Sequence, residues 1–264
     1  MKLGFIGTGN MASAIMGGVI KNEIFAANEI IGADLFAPGR EKVKAQFGIN
    51  VTADNKEVVE NSEVIVLSVK PQFYESVITE IKDLVKEDQI IITIAPGKTL
   101  AWLAEKFGKD VKIVRTMPNT PAMVGAGMTA ACPNEFVTAE ELDYVKKILG
   151  SFSLVEVVPE KLMDTVTAVS GSSPAYVYMF IEAMADAAVL GGMPRPQAYN
   201  FAAQAVLGSA KMVLETGMHP GALKDMVCSP GGTTIEAVRT LEALGFRSAV
   251  IEAMKVCEDK SRSM

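Results

Sequence analysis

The chain has 264 residues, 49% of them hydrophobic and 21% charged, with a net charge of −6. That length predicts two domains with a sizeable core, and the composition excludes a disordered chain. The acidic balance argues against nucleic acid or an anionic membrane surface as the main partner, so any anion site must be built locally from helix termini and a few basic residues.

From the N-terminus, the apolar run 3–6 leads directly into Gly7-Thr8-Gly9-Asn10-Met11-Ala12. This is the G-x-G-x-x-A form of a dinucleotide fingerprint. Gly7 allows the tight turn, Gly9 lets backbone meet a pyrophosphate, and Ala12 permits close packing of helix on strand. A helical face follows at Ala14, Ile15, Gly18 and Val19, then a second strand at 30–33 ending on Asp34. An acid about 20 residues after the loop is the residue expected to bind the adenosine ribose. Asp34 favours NADH over NADPH, because it accepts from a 2′-hydroxyl and repels a 2′-phosphate. Arg40 either pulls the other way, by receiving that phosphate, or is a solvated charge on the next helix.

Further strands are expected at 64–68, 90–93, 112–116 and 154–157, with helices between most of them, as a parallel sheet requires. The loops after these strands carry Val69-Lys70-Pro71, Ala95-Pro96-Gly97 and Met117-Pro118-Asn119-Thr120-Pro121. Open α/β sheets bind ligands at such strand ends. Lys70 reads as a contact to cofactor phosphate or ribose, or else as an exposed lysine. Asn119 reads as a contact to the nicotinamide, or else as a turn residue.

From Glu160 the strand pattern stops and long helical patterns replace it. The boundary is expected at 159/160. Ser173 and Pro174 read as N-cap and N1 of a helix running to Leu190, and Pro196 opens another that ends at Gly217. Residues 175–190 are apolar nearly all round, so the helix must be covered on every side and another subunit is expected to help. Glu182 and Asp186 within it argue against a membrane span. The first apolar run is broken by Gly4, Gly7 and Gly9, unlike a secretory leader.

Ser229-Pro230-Gly231-Gly232-Thr233-Thr234 then enters a helical pattern at Ile235, Val238, Leu241 and Leu244. Thr233 with Glu236 reads as a capping box. The segment is either an ordinary capped helix after a Gly-rich turn, or a carboxylate site made by the unpaired N–H groups of a helix N-terminus.

Some chemistry is absent from the sequence. There is one histidine, His219, which suits an N-terminal cap before Pro220. Cys132, Cys228 and Cys257 are odd in number and widely spaced, which implies neither a disulfide framework nor a metal site and fits a reducing cytoplasm. Cys228, although beside Ser229, reads as a buried thiol. No nucleophile elbow and no tyrosine–lysine acid pair is present. A reductase without a clear general acid points to a substrate that arrives protonated, such as a cyclic iminium ion.

At this point the residues resemble the pyrroline-5-carboxylate reductase family over essentially the whole chain. The glycine loop, Val69-Lys70-Pro71 and the segment 115–121 carry the resemblance, together with 168–176, His219-Pro220, Leu223-Lys224-Asp225 and Ser229–Thr234. The resemblance implies a Rossmann-type domain (1–159) followed by an all-α dimerisation and substrate domain (160–264). It also implies NAD(P)H-dependent reduction of 1-pyrroline-5-carboxylate to L-proline by a homodimer or homodecamer. It assigns the cofactor to Gly7, Thr8, Gly9, Asn10, Met11, Ala12, Asp34, Asn55, Val69, Lys70, Pro71, Met117, Pro118 and Asn119. Asn55 there matches a position that contacts a 2′-phosphate. The substrate falls to Ser229, Gly231, Gly232, Thr233 and Thr234, with the Thr234 hydroxyl on the iminium, and related enzymes bring this loop across the dimer interface. Asp34 departs from the family pattern, where a small hydroxyl residue is frequent. Two rivals are a β-hydroxyacid dehydrogenase or imine reductase, and a non-catalytic nucleotide-sensing module. The first needs a lysine in the helix after 168–176, which this chain lacks; the second needs no substrate loop.

Overall fold

Short Ile, Val and Leu runs buried on both faces make parallel strands. In the computed structural model, which describes residues 2–263, they line up in one eight-stranded sheet. The strands are β1 (Leu3–Ile6), β2 (Ile30–Ala33), β3 (Asn50–Thr52), β4 (Val64–Leu67), β5 (Ile90–Thr93), β6 (Lys112–Met117), β7 (Gly127–Pro133) and β8 (Ser153–Val157), in the order 3-2-1-4-5-6-7-8. Every pairing is parallel except β6 with β7, so the sheet is mixed rather than wholly parallel. The strand order reverses between β1 and β4, which places a ligand crevice at their carboxyl ends.

Helices α1 (Asn10–Lys21), α2 (Ala37–Phe47), α3 (Asn55–Asn61), α4 (Tyr74–Ile81), α5 (Leu100–Phe107) and α6 (Ala139–Gly150) cover the two faces. One buried layer joins α1 and α6 to the sheet through Ile15, Val19, Val145 and Ile148; the other joins α3, α4 and α5 through Val58, Ile78 and Leu103. Tyr74 is fully buried. Its hydroxyl donates to the Leu67 carbonyl and accepts from the Ile94 N–H at 3.2 Å, so one oxygen ties the carboxyl ends of β4 and β5. Burial raises the phenol pKa far above its ordinary value.

The chain forms two compact units, one of residues 2–172 with 257–263 and the other of Ser173–Val256. The first unit thus extends past Pro159. Glu160 accepts from the buried Arg115 guanidinium (2.7 Å) and from the Leu100 N–H (2.6 Å), and Met163 in α7 (Met163–Val166) packs with Met117, Ala130 and Cys132.

The expected N-cap at Ser173 is not formed. A π-helical turn, Thr167–Gly171, runs from α7 almost into α8 (Ser173–Leu190), and Ser173 is already helical. Pro174 has no N–H to give the Ser170 carbonyl. The Asn119 side chain donates to that carbonyl at 3.0 Å instead.

In the second unit α8 packs against α9 (Arg195–Thr216) through Ala185, Ala198 and Ala202. Helices α10 (Pro220–Met226), α11 (Thr233–Ala243) and α12 (Phe246–Arg262) follow, with the last residues of α12, from Cys257, belonging to the first unit. Most of the apolar surface of α8 and α9 stays exposed, including Met179 at 67%, Phe201 at 67% and Leu214 at 75%.

Candidate functional site

The glycine loop has the backbone that its residues demand. Gly7 lies at φ +97°, and a Cβ there would meet the Ser68 and Val69 backbone at 2.8–2.9 Å, so only glycine fits. Gly9 is the opposite case: a Cβ would have nothing within 4 Å, which leaves its backbone open to a ligand. It is also the N-cap of α1 and provides no side-chain cap. The first N–H groups of the helix therefore remain for an anion. Asn10 is exposed at the mouth, while Met11 and Ala12 pack inward against the core. These residues fit a dinucleotide.

Asp34 is fastened to this loop. Its Oδ2 accepts from the Thr8 N–H (2.9 Å) and the Thr8 hydroxyl (3.0 Å), and its Oδ1 accepts from the Phe36 N–H (2.9 Å). Arg40 is not a solvated charge: its guanidinium donates to the Asp34 main-chain carbonyl. Asn55 is buried and its amide nitrogen donates to Glu80 at 2.8 Å, so that donor is turned to a carboxylate rather than to an open site.

At the other strand ends, Ser68 donates its hydroxyl to the Gly7 carbonyl at 2.7 Å. Sequence reasoning assigned it only to a strand; a hydroxyl residue at a strand end beside a glycine loop was the available signal. Val69 packs against the core, Lys70 is exposed, and Pro71 starts a short 3₁₀ turn. Met117 is buried in the small cluster around Cys132. Asn119 has both ends of its side chain engaged, donating to Ser170 and accepting from the Met128 N–H at 2.9 Å. The structure thus gives its side chain the structural role, and Pro118 stiffens the same turn.

In the second unit, Ser229 to Gly232 is a tight turn closed by the Gly232 N–H on the Ser229 carbonyl at 3.0 Å. Pro230 at its second position and Gly231 at φ +67° are the residues of a type II turn. The N-cap of α11 is Gly232, with no side-chain cap, and Thr233 is already the first helical residue. The expected capping box is therefore not formed, and Glu236 pairs with Arg239 at 3.0 Å instead. Ser229 and Thr233 are exposed and Thr234 is half-buried, around helix N–H groups that no side chain covers. His219 caps α10 as expected, its Nδ1 accepting from the Gly221 N–H at 3.0 Å. Cys228 is half-buried; Cys132 is buried and its thiol pKa is raised, first by burial and then by Glu160.

Comparison with known proteins bears on these two loops. Residues 160–264 match the family model for pyrroline-5-carboxylate reductase dimerisation, and 2–97 match that for NADP oxidoreductase, coenzyme F420-dependent. The chain is 55% identical to the pyrroline-5-carboxylate reductase of Escherichia coli, over 100% of this chain and 98% of that protein. The chain belongs to the pyrroline-5-carboxylate reductase family. This reductase is an NAD(P)-dependent oxidoreductase acting on a C=N bond. It is also 42% identical to the Methanosarcina acetivorans enzyme over 100% of this chain and 97% of that one. The reductase superposes on the Coxiella burnetii enzyme with a TM-score of 0.93, at 34% identity, covering 99% and 97% of the two chains. The Plasmodium falciparum enzyme with NADP bound gives 0.90 at 34% identity, covering 100% and 97%. Among the described residues no helix is long and apolar enough to cross a membrane.

Proposed function

We propose that this reductase converts 1-pyrroline-5-carboxylate to L-proline as an NAD(P)H-dependent homodimer or decamer in the cytoplasm, and that its functional boundary lies at 159/160. The observation that carries the substrate assignment is the uncapped, exposed start of α11 on the Ser229–Gly232 turn. A carboxylate is among the anions that such a helix end accepts. NAD(P)H, when bound, supplies the hydride that reduces the C=N carbon of the protonated imine.

The chain's own residues hold and orient. Gly7, Gly9 and the first turn of α1 hold the pyrophosphate, with Lys70 at the adjoining strand end and Asp34 at the ribose. The N–H groups of Thr233 and Thr234, with the Ser229 hydroxyl, hold the substrate carboxylate, whereas the Gly232 N–H, expected to join them, is taken by the Ser229 carbonyl. The Thr234 hydroxyl oxygen accepts from the iminium N–H and so favours the electrophilic form; as the ring nitrogen takes up the C=N electron pair it becomes an ordinary amine. No general acid is required. Orientation of the two reactants supplies the catalysis, for which about 7–11 kcal/mol is available. The exposed apolar surface of α8 and α9 supports burial against a second copy.

Thr234→Ala is expected to lower kcat/KM for the imine by about tenfold or more, roughly 1.4 kcal/mol, with cofactor affinity unchanged. Full activity in Thr234→Ala with loss in Thr233→Ala would reassign the hydroxyl. Oxidation of neither NADH nor NADPH with this substrate would sink the reaction itself.

A further inference from the structure

Where the chain leaves β8, one side chain reaches both β6 and the start of α5. Glu160 Oε1 accepts from the Arg115 guanidinium at 2.7 Å and from the Leu100 N–H at 2.6 Å. The Arg115 side chain is 5% exposed and always charged, so it depends on this partner. Leu100 follows the Thr99 N-cap as the first residue of α5, an end where a carboxylate is favourable. The loop 94–99 between β5 and α5 is thereby pinned at both ends from elsewhere in the fold, by the Tyr74 hydroxyl on the Ile94 N–H and by Glu160 on the Leu100 N–H. A dinucleotide whose pyrophosphate sits on the glycine loop of β1 and whose adenosine half lies at the end of β2 must send its nicotinamide half to the other side of the switch point. That side is the carboxyl ends of β4 and β5, where this loop stands.

We propose that Glu160, held by Arg115, is a positioning residue for hydride transfer: by fixing the loop 94–99 it sets where the nicotinamide half comes to rest. The proposal rests on the reaction given above, in which orientation supplies the catalysis. A misplacement of about 1 Å can cost about a hundredfold in rate even when it starts from a residue that touches neither reactant. Loss of the clasp therefore slows the hydride step more than it weakens the cofactor, whose pyrophosphate and adenosine are held at β1 and β2, away from this loop.

The test measures three quantities in wild type and variants: kcat, the affinity for reduced cofactor followed by its fluorescence, and the deuterium isotope effect on kcat with cofactor labelled at nicotinamide C4. Glu160→Ala removes the clasp but leaves a buried guanidinium unpaired, and that variant can fail to fold. Leu100→Pro removes only the N–H that Glu160 accepts from and leaves the ion pair with Arg115 in place. Proline suits this first helical position, and the extended backbone of Thr99 (φ −75°, ψ 159°) admits a proline after it. Leu100→Ala, which keeps the N–H, and Glu160→Gln, which keeps an acceptor oxygen, are the controls. Leu100→Pro and Glu160→Ala are expected to lower kcat about tenfold or more and to change cofactor affinity less than about threefold, with both controls within about threefold of wild type. The isotope effect should rise in the two impaired variants, because hydride transfer becomes the slow step. An unchanged isotope effect would mean fewer active molecules rather than misplaced reactants and would overturn the proposal. So would Leu100→Pro behaving as Leu100→Ala, or a loss of cofactor affinity that matches the loss of kcat. Wild type that oxidises neither cofactor with the imine would remove the reaction itself, and the proposal with it.

Discussion

Replacing Asp34 by alanine tests the link between its carboxylate and the glycine loop. Three hydrogen bonds end on its carboxylate, from the Thr8 N–H, the Thr8 hydroxyl and the Phe36 N–H. They are not equivalent. Phe36 is well exposed, so water replaces its lost acceptor at little cost. Thr8 is only 5% exposed, so its N–H is left without a partner in a dry place. An unsatisfied buried donor costs about 1–3 kcal/mol, and the Thr8 hydroxyl can rotate to limit its own loss. The net expectation is about 2 kcal/mol of stability for Asp34→Ala, and less for Asp34→Asn, which keeps an acceptor oxygen. For a chain of this size that is a fall of about 4–8 °C in Tm. Asp34→Ser adds the cofactor readout. A carboxylate about 5 Å from a 2′-phosphate, in water-like dielectric, repels it by about 1–1.5 kcal/mol. The NADPH/NADH ratio of kcat/KM should therefore rise roughly fivefold to tenfold. Differential scanning calorimetry and steady-state kinetics with both cofactors give the two numbers. If Asp34→Ala leaves Tm untouched, the clasp on Thr8 contributes nothing. If Asp34→Ser leaves the cofactor ratio untouched, the carboxylate does not face the ribose.

Gly7 and Gly9 should separate fold from binding. Gly7→Ala forces a Cβ against the Ser68 and Val69 backbone at positive φ and should lower Tm, whereas Gly9→Ala meets nothing and should change stability by no more than about 0.5 kcal/mol while weakening both cofactors; equal Tm losses in the two variants would contradict this. His219→Ala removes the α10 cap and should cost about 1 kcal/mol of stability, with the larger part restored in His219→Asn and kcat unchanged in both; a collapse of kcat at normal KM would make the imidazole catalytic. Cys132 should be the last of the three thiols to react with iodoacetamide in the folded protein, because it is buried and its thiol pKa is raised above 9.0. Folding therefore favours the protonated thiol, so its contribution is intact below the ordinary thiol range and declines as pH rises through it; a Cys132→Ala variant whose stability falls just as steeply over that range would exclude the thiol as the cause.

Much of this was legible because the decisive residues act through local rules. Gly7, Gly9 and Ala12 are read from a fixed spacing, and five of the six expected strands are continuous runs in which β-branched and aliphatic residues dominate. Strands β3 and β7 were not foreseen. Asn50–Thr52 holds a single aliphatic residue, and Gly127–Pro133 is mostly small residues with little strand preference of their own. They are strands because β2, β6 and β8 pair with them. The capping box at Thr233 was misread because Gly232 takes the cap position one residue earlier, a choice of backbone angle that composition does not reveal. Asn119 could be placed in a strand-end loop and Asn55 matched to a cofactor position, but their amides are engaged by Ser170 and Glu80, partners distant in sequence. Arg40 likewise could be named from the sequence, whereas its anchor on Asp34 could not.

The hydroxyl of Tyr74 has a consequence for motion. Because it grips the Leu67 carbonyl and the Ile94 N–H at once, the turns that leave β4 and β5 share one latch, and neither can open while the latch holds. The Ile94 amide is then a natural sensor. Its hydrogen exchange reports the opening of both turns together, and it should slow when a dinucleotide braces the Val69–Pro71 side, although Ile94 need not touch that ligand.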